Sequence, residues 1–227
     1  MWLIAEYLPT ALFSLRMSNA TNAAAKTLLL PSPYCIKMAL LDASFRSSGI
    51  AATQQRFEWI KRLTVRVESP KQAVVNGCFV KIQKLGDNGF GPAFALREYV
   101  AYNGTMRLAL AVTDLSTSER EALVSLLVQI NQLGKRGCFV QLVAPPFLQS
   151  PELDSTFASA IGSSGSSSAG LLQPLDDMQP DATFPQVSAF SGVSASRETI
   201  RRSVPTLVPY QRQQTSKGFT FYERREQ

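Results

Sequence analysis

The sequence predicts an α+β fold: a ferredoxin-like βαββαβ domain carrying an inserted β-hairpin and followed by a flexible C-terminal extension. Three observations carry this prediction. Over residues 1–150, β-rich runs and helical stretches follow the order strand, helix, strand, hairpin strands, helix, strand. A glycine-rich break divides a long β-rich segment between 71 and 105, the place of the inserted hairpin. Beyond residue 150 the composition becomes acidic and rich in Ser, Gly and Pro, and then basic. A sheet of this kind has one face covered by two helices and one left open, which is a common RNA platform.

Trp2–Leu8 and Leu12–Met17 read as strand material, one kinked strand or two, and Ser18–Ala25 as a polar loop. The extended run after Lys26 breaks at Pro31. Ser32 then holds an N-cap position and Pro33 the first turn, where the missing N–H of proline is an orphan in any case. The helix runs to Arg46 and is ended by Ser47-Ser48-Gly49. Ala51–Ile60 predicts a second helix with Phe57 and Ile60 inward, and Arg62–Glu68 alternates as a strand stopped by Ser69-Pro70.

Val74–Lys84 is β-rich and leads to Gly86-Asp87-Asn88-Gly89 and Gly91-Pro92. Ala93–Tyr102 and Thr105–Thr113 flank Asn103-Gly104, the strongest short hairpin signal of the chain. Ser116–Leu133 predicts a helix with a capping box from Ser116/Glu119 or Ser118/Glu121, an apolar face of Leu123, Leu126, Leu127, Ile130 and Leu133, and Gly134 as terminator. Phe139–Val143 is a core strand cut by Pro145-Pro146. Residues 151–196 read as an acidic, Ser/Gly/Pro-rich flexible insertion around the low-complexity Gly162–Gly170, and 197–227 as a basic segment closing onto the domain or a neighbouring subunit.

At 227 residues, 45% of them hydrophobic, the chain can bury one good core. No run approaches the roughly 18 apolar residues of a membrane span. Glu6 and Pro9 interrupt the apolar start, against a signal peptide. Cys35, Cys78 and Cys138 are odd in number and scattered, as expected of reduced, buried thiols in a cytoplasmic protein. Charge is uneven: residues 1–150 hold 16 Lys and Arg against 9 Asp and Glu, 151–196 hold none against 5, and 197–227 hold 7 against 3, giving +7, −5 and +4 within the net +6. Basic character concentrated in the domain and tail is the pattern of a polyanion binder. Histidine is absent. With no histidine and no cysteine pair, zinc sites, Ser-His-Asp and Cys-His hydrolases and histidine-dependent ribonucleases fall away, and no metal or cofactor is expected.

Four basic, glycine-associated places could hold a ligand. At the Ser32 helix start, Tyr34, Lys37 and Ser44 would line one strip of the helix, and an open helix start with Tyr and Lys beside it suits a phosphate. From spacing alone, a capped core helix with one solvated lysine accounts for it better. Gly134-Lys135-Arg136-Gly137 sets two cations between glycines that let a phosphodiester approach, or it is a helix C-cap whose cations complement the dipole. The hairpin brings Lys81, Lys84 and Arg97 around a Gly-rich tip, equally readable as ordinary surface charge. In the C-terminal segment Arg201, Arg202, Arg212, Lys217, Arg224 and Arg225 interleave with Tyr210, Phe219, Phe221 and Tyr222, a base-stacking arrangement or a closing strand, the latter preferred for Phe219 and Phe221.

The N-terminal strand, the Pro31-Ser32-Pro33 turn into Tyr34-Cys35-Ile36-Lys37-Met38-Ala39-Leu40-Leu41, the Arg97-Glu98-Tyr99 to Asn103-Gly104 segment, the Gly134–Gly137 loop and the closing Ser216–Glu223 resemble the RAMP superfamily of CRISPR systems, an RRM-like fold. More narrowly they resemble CRISPR-associated protein family five, a small subunit of the type I Cascade surveillance complex. The resemblance covers roughly residues 1–150 and the last twenty, and leaves 151–196 unaccounted for.

The resemblance implies a subunit that caps the 5′ handle of the crRNA, folds a hairpin thumb over it beside the first backbone subunit, and contacts the large subunit. Target DNA would be met only indirectly through the complex, and no membrane is involved. By position it puts Ser32, Tyr34, Lys37, Lys135 and Arg136 at the handle. Lys81, Lys84 and Arg97 reach the RNA through a hairpin within 71–105 whose tip is 85–92 or 103–104. Some members cut precursor RNA, generally with a histidine, which this chain lacks, so a non-catalytic RNA-binding subunit is expected. The alternative is a metal-independent endoribonuclease processing precursor crRNA with Tyr34 and Lys37, and a third reading is a scaffold serving protein partners alone.

Overall fold

A computed structural model describes residues 1–18, 26–86, 89–150, 152–162 and 169–225. Most of the expected Ser18–Ala25 loop, the Asp87-Asn88 turn and the middle of the Gly162–Gly170 linker lie outside the described residues. The described residues build a mixed α/β structure with three antiparallel sheets. The main sheet has the order β2-β5-β1-β6, from β1 (Trp2–Pro9), β2 (Val65–Glu68), β5 (Met106–Ala111) and β6 (Val140–Leu142). A short β7 (Phe147–Gln149) pairs with the first residues of β1. Alternation along β1 sets its two faces: Leu3, Ala5 and Tyr7 enter the large core, and Ile4 joins Ala109 and Phe157 on the opposite side.

The large core is filled from the helices α1 (Pro33–Arg62) and α2 (Thr117–Val128). The buried Tyr7 hydroxyl donates to the Leu127 carbonyl at 2.6 Å and locks α2 to the sheet. The two helices expected at 32–46 and 51–60 stand end to end within α1, separated by a break at Gly49, whose φ of 77° only glycine tolerates easily. Hydroxyls span the kink: Thr53 Oγ1 donates to the Gly49 carbonyl (2.8 Å) and to Ser44 Oγ (3.1 Å). Ser44 is therefore buried, not on an open strip.

Four further expectations are corrected. Leu12–Met17 is no strand; it makes only isolated bridges, Phe13 with Val100 and Arg16 with Thr27. Asn103-Gly104 does not join two paired strands. Strand β4 (Gly89–Asn103) pairs along its whole length with β3 (Gln72–Gly86), out to the Gly86–Gly89 pair. The chain after Gly104 instead enters the middle of the main sheet as β5, because Met106, Leu108 and Leu110 are fully buried there. A turn signal reverses the chain but does not choose the strand it then pairs with. Helix α2 stops at Val128, so Gly134 does not cap it. Residues 131–133 are extended instead, with Leu133 N–H donating to the Cys138 carbonyl and Val140 N–H to Asn131, both at 3.0 Å. Finally, Cys78 is exposed on the hairpin, while Cys138 is buried and Cys35 half-buried.

The acidic stretch carries regular structure. A second sheet has the order β8-β10-β9, from β8 (Ser159–Ala160), β9 (Leu171–Met178) and β10 (Arg201–Val208). Two single-turn helices, α3 (Phe184–Val187) and α4 (Arg197–Ile200), connect β9 to β10. From Leu207 the basic segment is strand: the end of β10 is followed by β11 (Tyr210–Thr215) and β12 (Phe219–Arg224), which extend the hairpin into a third sheet ordered β11-β12-β3-β4. Tyr210 is fully buried and the half-buried Tyr222 packs on the core, whereas Phe219 and Phe221, for which the sequence reading prefers inward packing, stay half-exposed.

Glu68 ties these parts together. Its buried carboxylate accepts from Arg107 of β5 (Nη2, 2.8 Å) and Thr156 (2.7 Å) and forms an ion pair with Arg224 of β12 (3.0 Å). Burial alone would raise its pKa, but hydrogen bonds from Arg107 and Thr156 and the charges of Arg107 and Arg224 outweigh it and hold the carboxyl below its ordinary 4.5. A depressed carboxyl contributes stability that is fully present above 4.5 and lost as pH falls through the lower folded value. Glu68→Gln is expected to cost about 3 kcal/mol at neutral pH, because Arg107 and Arg224 both lose the charge of the buried carboxylate they share. Urea unfolding of both proteins across this range should show the gap closing in acid.

Candidate nucleic-acid interface

The first turn of α1 needs little from outside. Ser32 Oγ accepts from Cys35 N–H at 3.3 Å, Ser32 carbonyl accepts from Ile36 N–H at 3.1 Å, and Pro33 has no N–H to satisfy. Among the described residues, the N–H of Tyr34 is then the donor left at this helix start. The Gly134–Gly137 turn packs directly against it. Gly134 has a φ of 82°, and a Cβ there would lie 3.1 Å from Cys35 Sγ and 3.2 Å from a Leu15 methyl, so close approach and backbone conformation both require glycine.

Two places separated by a hundred residues in sequence thus form one cleft of about 470 Å³, lined by Ser32, Tyr34, Lys135, Arg16 and Arg201 among others. Lys135 and Arg136 are both exposed on the turn, and Lys135 lines the cleft. Arg201 stacks on the Tyr34 ring with its guanidinium carbon 4.1 Å from the centroid, and its Nη1 lies 3.7 Å from Asp176. Its buried Nε has no hydrogen-bond partner among the described residues. Arg16 and Arg201 also line an adjoining hollow with Arg197, so the cations continue beyond the cleft. Arg16 and Arg197 escaped the sequence reading. Arg197 sits in the same basic run as Arg201, but nothing in the sequence marks Arg16 beyond its place before the polar loop.

Lys37 is not part of this surface. Its side chain is only 2% exposed, and its ammonium donates to Asp177 Oδ1 at 2.6 Å and to the Lys61 carbonyl at 2.8 Å. Burial lowers its pKa, against the opposing attraction and hydrogen bond of Asp177. Lys37 lines a different cavity from Tyr34, so the two do not converge on one reacting atom. Burial pushes the Cys35 thiol up to about 12, which leaves it protonated and unreactive near neutrality.

The hairpin supplies a separate surface. Lys81 and Lys84 are exposed on β3, and Arg97 is half-buried on β4 opposite Cys78. The register puts Phe79, Lys81 and Leu85 on one face with their partners Leu96, Phe94 and Phe90. Phe79, Phe90 and Phe94 are 80%, 76% and 77% exposed. The sequence reading passed over these aromatics, although their alternation with polar residues is visible in the chain.

No family model matches the sequence. A CRISPR-associated protein Cas5 of Archaeoglobus fulgidus is 26% identical over 190 residues, which cover 80% of this chain and 82% of the relative. The chain is a homologue of CRISPR-associated protein Cas5. A crystal structure of a CRISPR protein from Archaeoglobus fulgidus superposes with a TM-score of 0.54 at 11% identity, covering 99% of this chain and 92% of that one. A chain of a CRISPR RNA-guided surveillance complex gives 0.50 at 15% identity, covering 92% and 91%. At these identities the two structures bear on the fold alone. Among the described residues, no helix is long and apolar enough to cross a membrane.

The Lys37–Asp177 pair makes an asymmetric prediction. Asp177→Ala strands a buried ammonium and is expected to cost about 3–5 kcal/mol in denaturant unfolding. Lys37→Met is expected to cost clearly less, because Arg202 Nη2 still reaches the Asp177 carboxylate at 3.0 Å.

Proposed function

We propose that the protein is a non-catalytic RNA-binding subunit of a type I CRISPR Cascade complex that caps the 5′ handle of the crRNA. The observation carrying this reading is the convergence of the α1 start and the Gly134–Gly137 turn on one cleft lined by Lys135, Arg16 and Arg201. A terminal RNA segment offers phosphates to such cations and to the Tyr34 N–H, and neutralising them releases counterions. The sheet order β2-β5-β1-β6 with its helices packed on one face supports a ferredoxin-like RAMP unit within residues 1–150, and the β3–β4 hairpin supports a thumb. Phe79, Phe90 and Phe94 would stack on bases while Lys81 on the same face meets phosphates, and Lys84 presents its charge on the opposite face of the hairpin. Residues 151–196 and 197–227 fold back to supply Asp176 and Arg201 to the cleft wall. The backbone and large subunits are its protein partners, and target DNA is reached through the complex.

The chemistry of the site supports binding over cleavage: the chain has no histidine, Lys37 is held by Asp177, and the Cys35 thiol is protonated. Incubation with a labelled repeat RNA is expected to return it intact, and a product ending in a 2′,3′-cyclic phosphate would establish the endoribonuclease alternative instead. The Lys135→Ala, Arg136→Ala double variant is expected to weaken binding of repeat-derived RNA about tenfold. Its salt slope should shrink by about 0.7 per lost phosphate contact, with the melting temperature unchanged. Unaltered affinity with a lowered melting temperature would return both residues to a structural role.

A further inference from the structure

A second cavity, of about 500 Å³, lies apart from the cleft. It forms where the chain leaves the edge of the main sheet. Ala158 N–H donates to the Val67 carbonyl at 2.8 Å, and the next two residues pair with β10 instead, as β8. The wedge between β2 and the β8-β10-β9 sheet has an aliphatic lining that includes Val65, Val67, Leu175, Met178 and Val204. Lys61, Arg62, Arg66 and Arg202 line it too, against the two carboxylates of Glu58 and Asp177. The Thr64 carbonyl accepts from Ala111 inside the sheet and the Val67 carbonyl faces out. Alternation therefore turns the N–H and C=O of Val65 outward, toward the wedge.

We propose that this groove takes an extended acidic peptide segment of a partner protein, added as a strand along β2 at Val65. Its apolar side chains would rest on the aliphatic lining, and its carboxylates would meet Arg62 and Arg66. An RNA strand fits the same place poorly. None of the lining residues is aromatic, so bases find no stacking surface, and a sugar-phosphate backbone cannot pair with a sheet edge. The inference is independent of the RNA reading, which rests on the other cleft.

The test uses the full chain and a fluorescein-labelled peptide alternating valine with glutamate, followed by fluorescence anisotropy. The acidic peptide is expected to bind and its valine–lysine counterpart not to. Arg62→Glu is expected to weaken binding about tenfold. Val65→Pro, which removes the outward N–H at an edge position, is expected to weaken it similarly. In the unaltered protein, the peptide should slow hydrogen exchange at the Val65 amide, a readout that needs no variant. Absence of binding, absence of Val65 protection, or equal binding by folded variants would overturn the proposal. So would displacement of the peptide by oligouridylate with the same sensitivity to Arg62→Glu, which would make the groove a polyanion site. Repeat-RNA affinity that depends on Lys135 and Arg136 but not on Arg62 keeps a failure here distinct from a failure of the RNA reading.

Discussion

The buried pairing of Lys37 with Asp177 decides how the two halves of the chain are combined. An ammonium removed from water must keep a partner, and α1 offers Lys37 only the carbonyl of Lys61. Asp177 supplies the opposite charge from β9, which packs the acidic stretch along α1. Strand alternation then turns the neighbouring Asp176 to the other side, where it accepts from Ser18 Oγ at 2.7 Å and stands beside Arg201. One ion pair thus closes the groove side of α1 and, through the next residue, builds a wall of the cleft on its other side.

This arrangement separates two tasks on either flank of a single helix. On one flank the glycine turn and three cations surround a helix start, a geometry suited to a chain of phosphates. On the other, an aliphatic wedge meets an open strand edge with cations beside it, a geometry suited to a peptide. Most cations around both already have partners within the chain. Arg202 serves Asp177, Lys61 serves Glu58, and Arg201 rests on Tyr34, so their positions are fixed before any ligand arrives.

The hairpin follows a different logic. Its base is built into the structure: Phe13 and Val100 exchange backbone hydrogen bonds, the Tyr102 hydroxyl donates to the Leu29 carbonyl at 2.8 Å, and β12 pairs along residues 72–76. Among the described residues, β3 and β4 run on as a two-stranded ribbon beyond Asn76, with the aromatic side chains of one face exposed. Exposed apolar surface of this kind marks a contact surface for something outside the chain.

The sequence by itself determined the local events. The Ser32 cap, a capping box at the start of α2 and the break at Gly49 rest on short-range rules of capping and glycine freedom and stand where the residues put them, whereas the strand expected over Arg62–Glu68 forms only at Val65–Glu68 because α1 runs on to Arg62. The chemical exclusions drawn from the missing histidine are equally a matter of composition. Only the tertiary structure decided pairings between distant residues. It sent the chain after Asn103-Gly104 into the core sheet, ended α2 early so that residues 131–133 could join Phe139 and Val140, and removed Lys37 from the surface by presenting Asp177. It also brought Gly134 onto Cys35, and so made one cleft of two candidate places. The physical reason is that spacing fixes which face of an element a residue occupies, whereas burial and charge pairing depend on which other element arrives at that face.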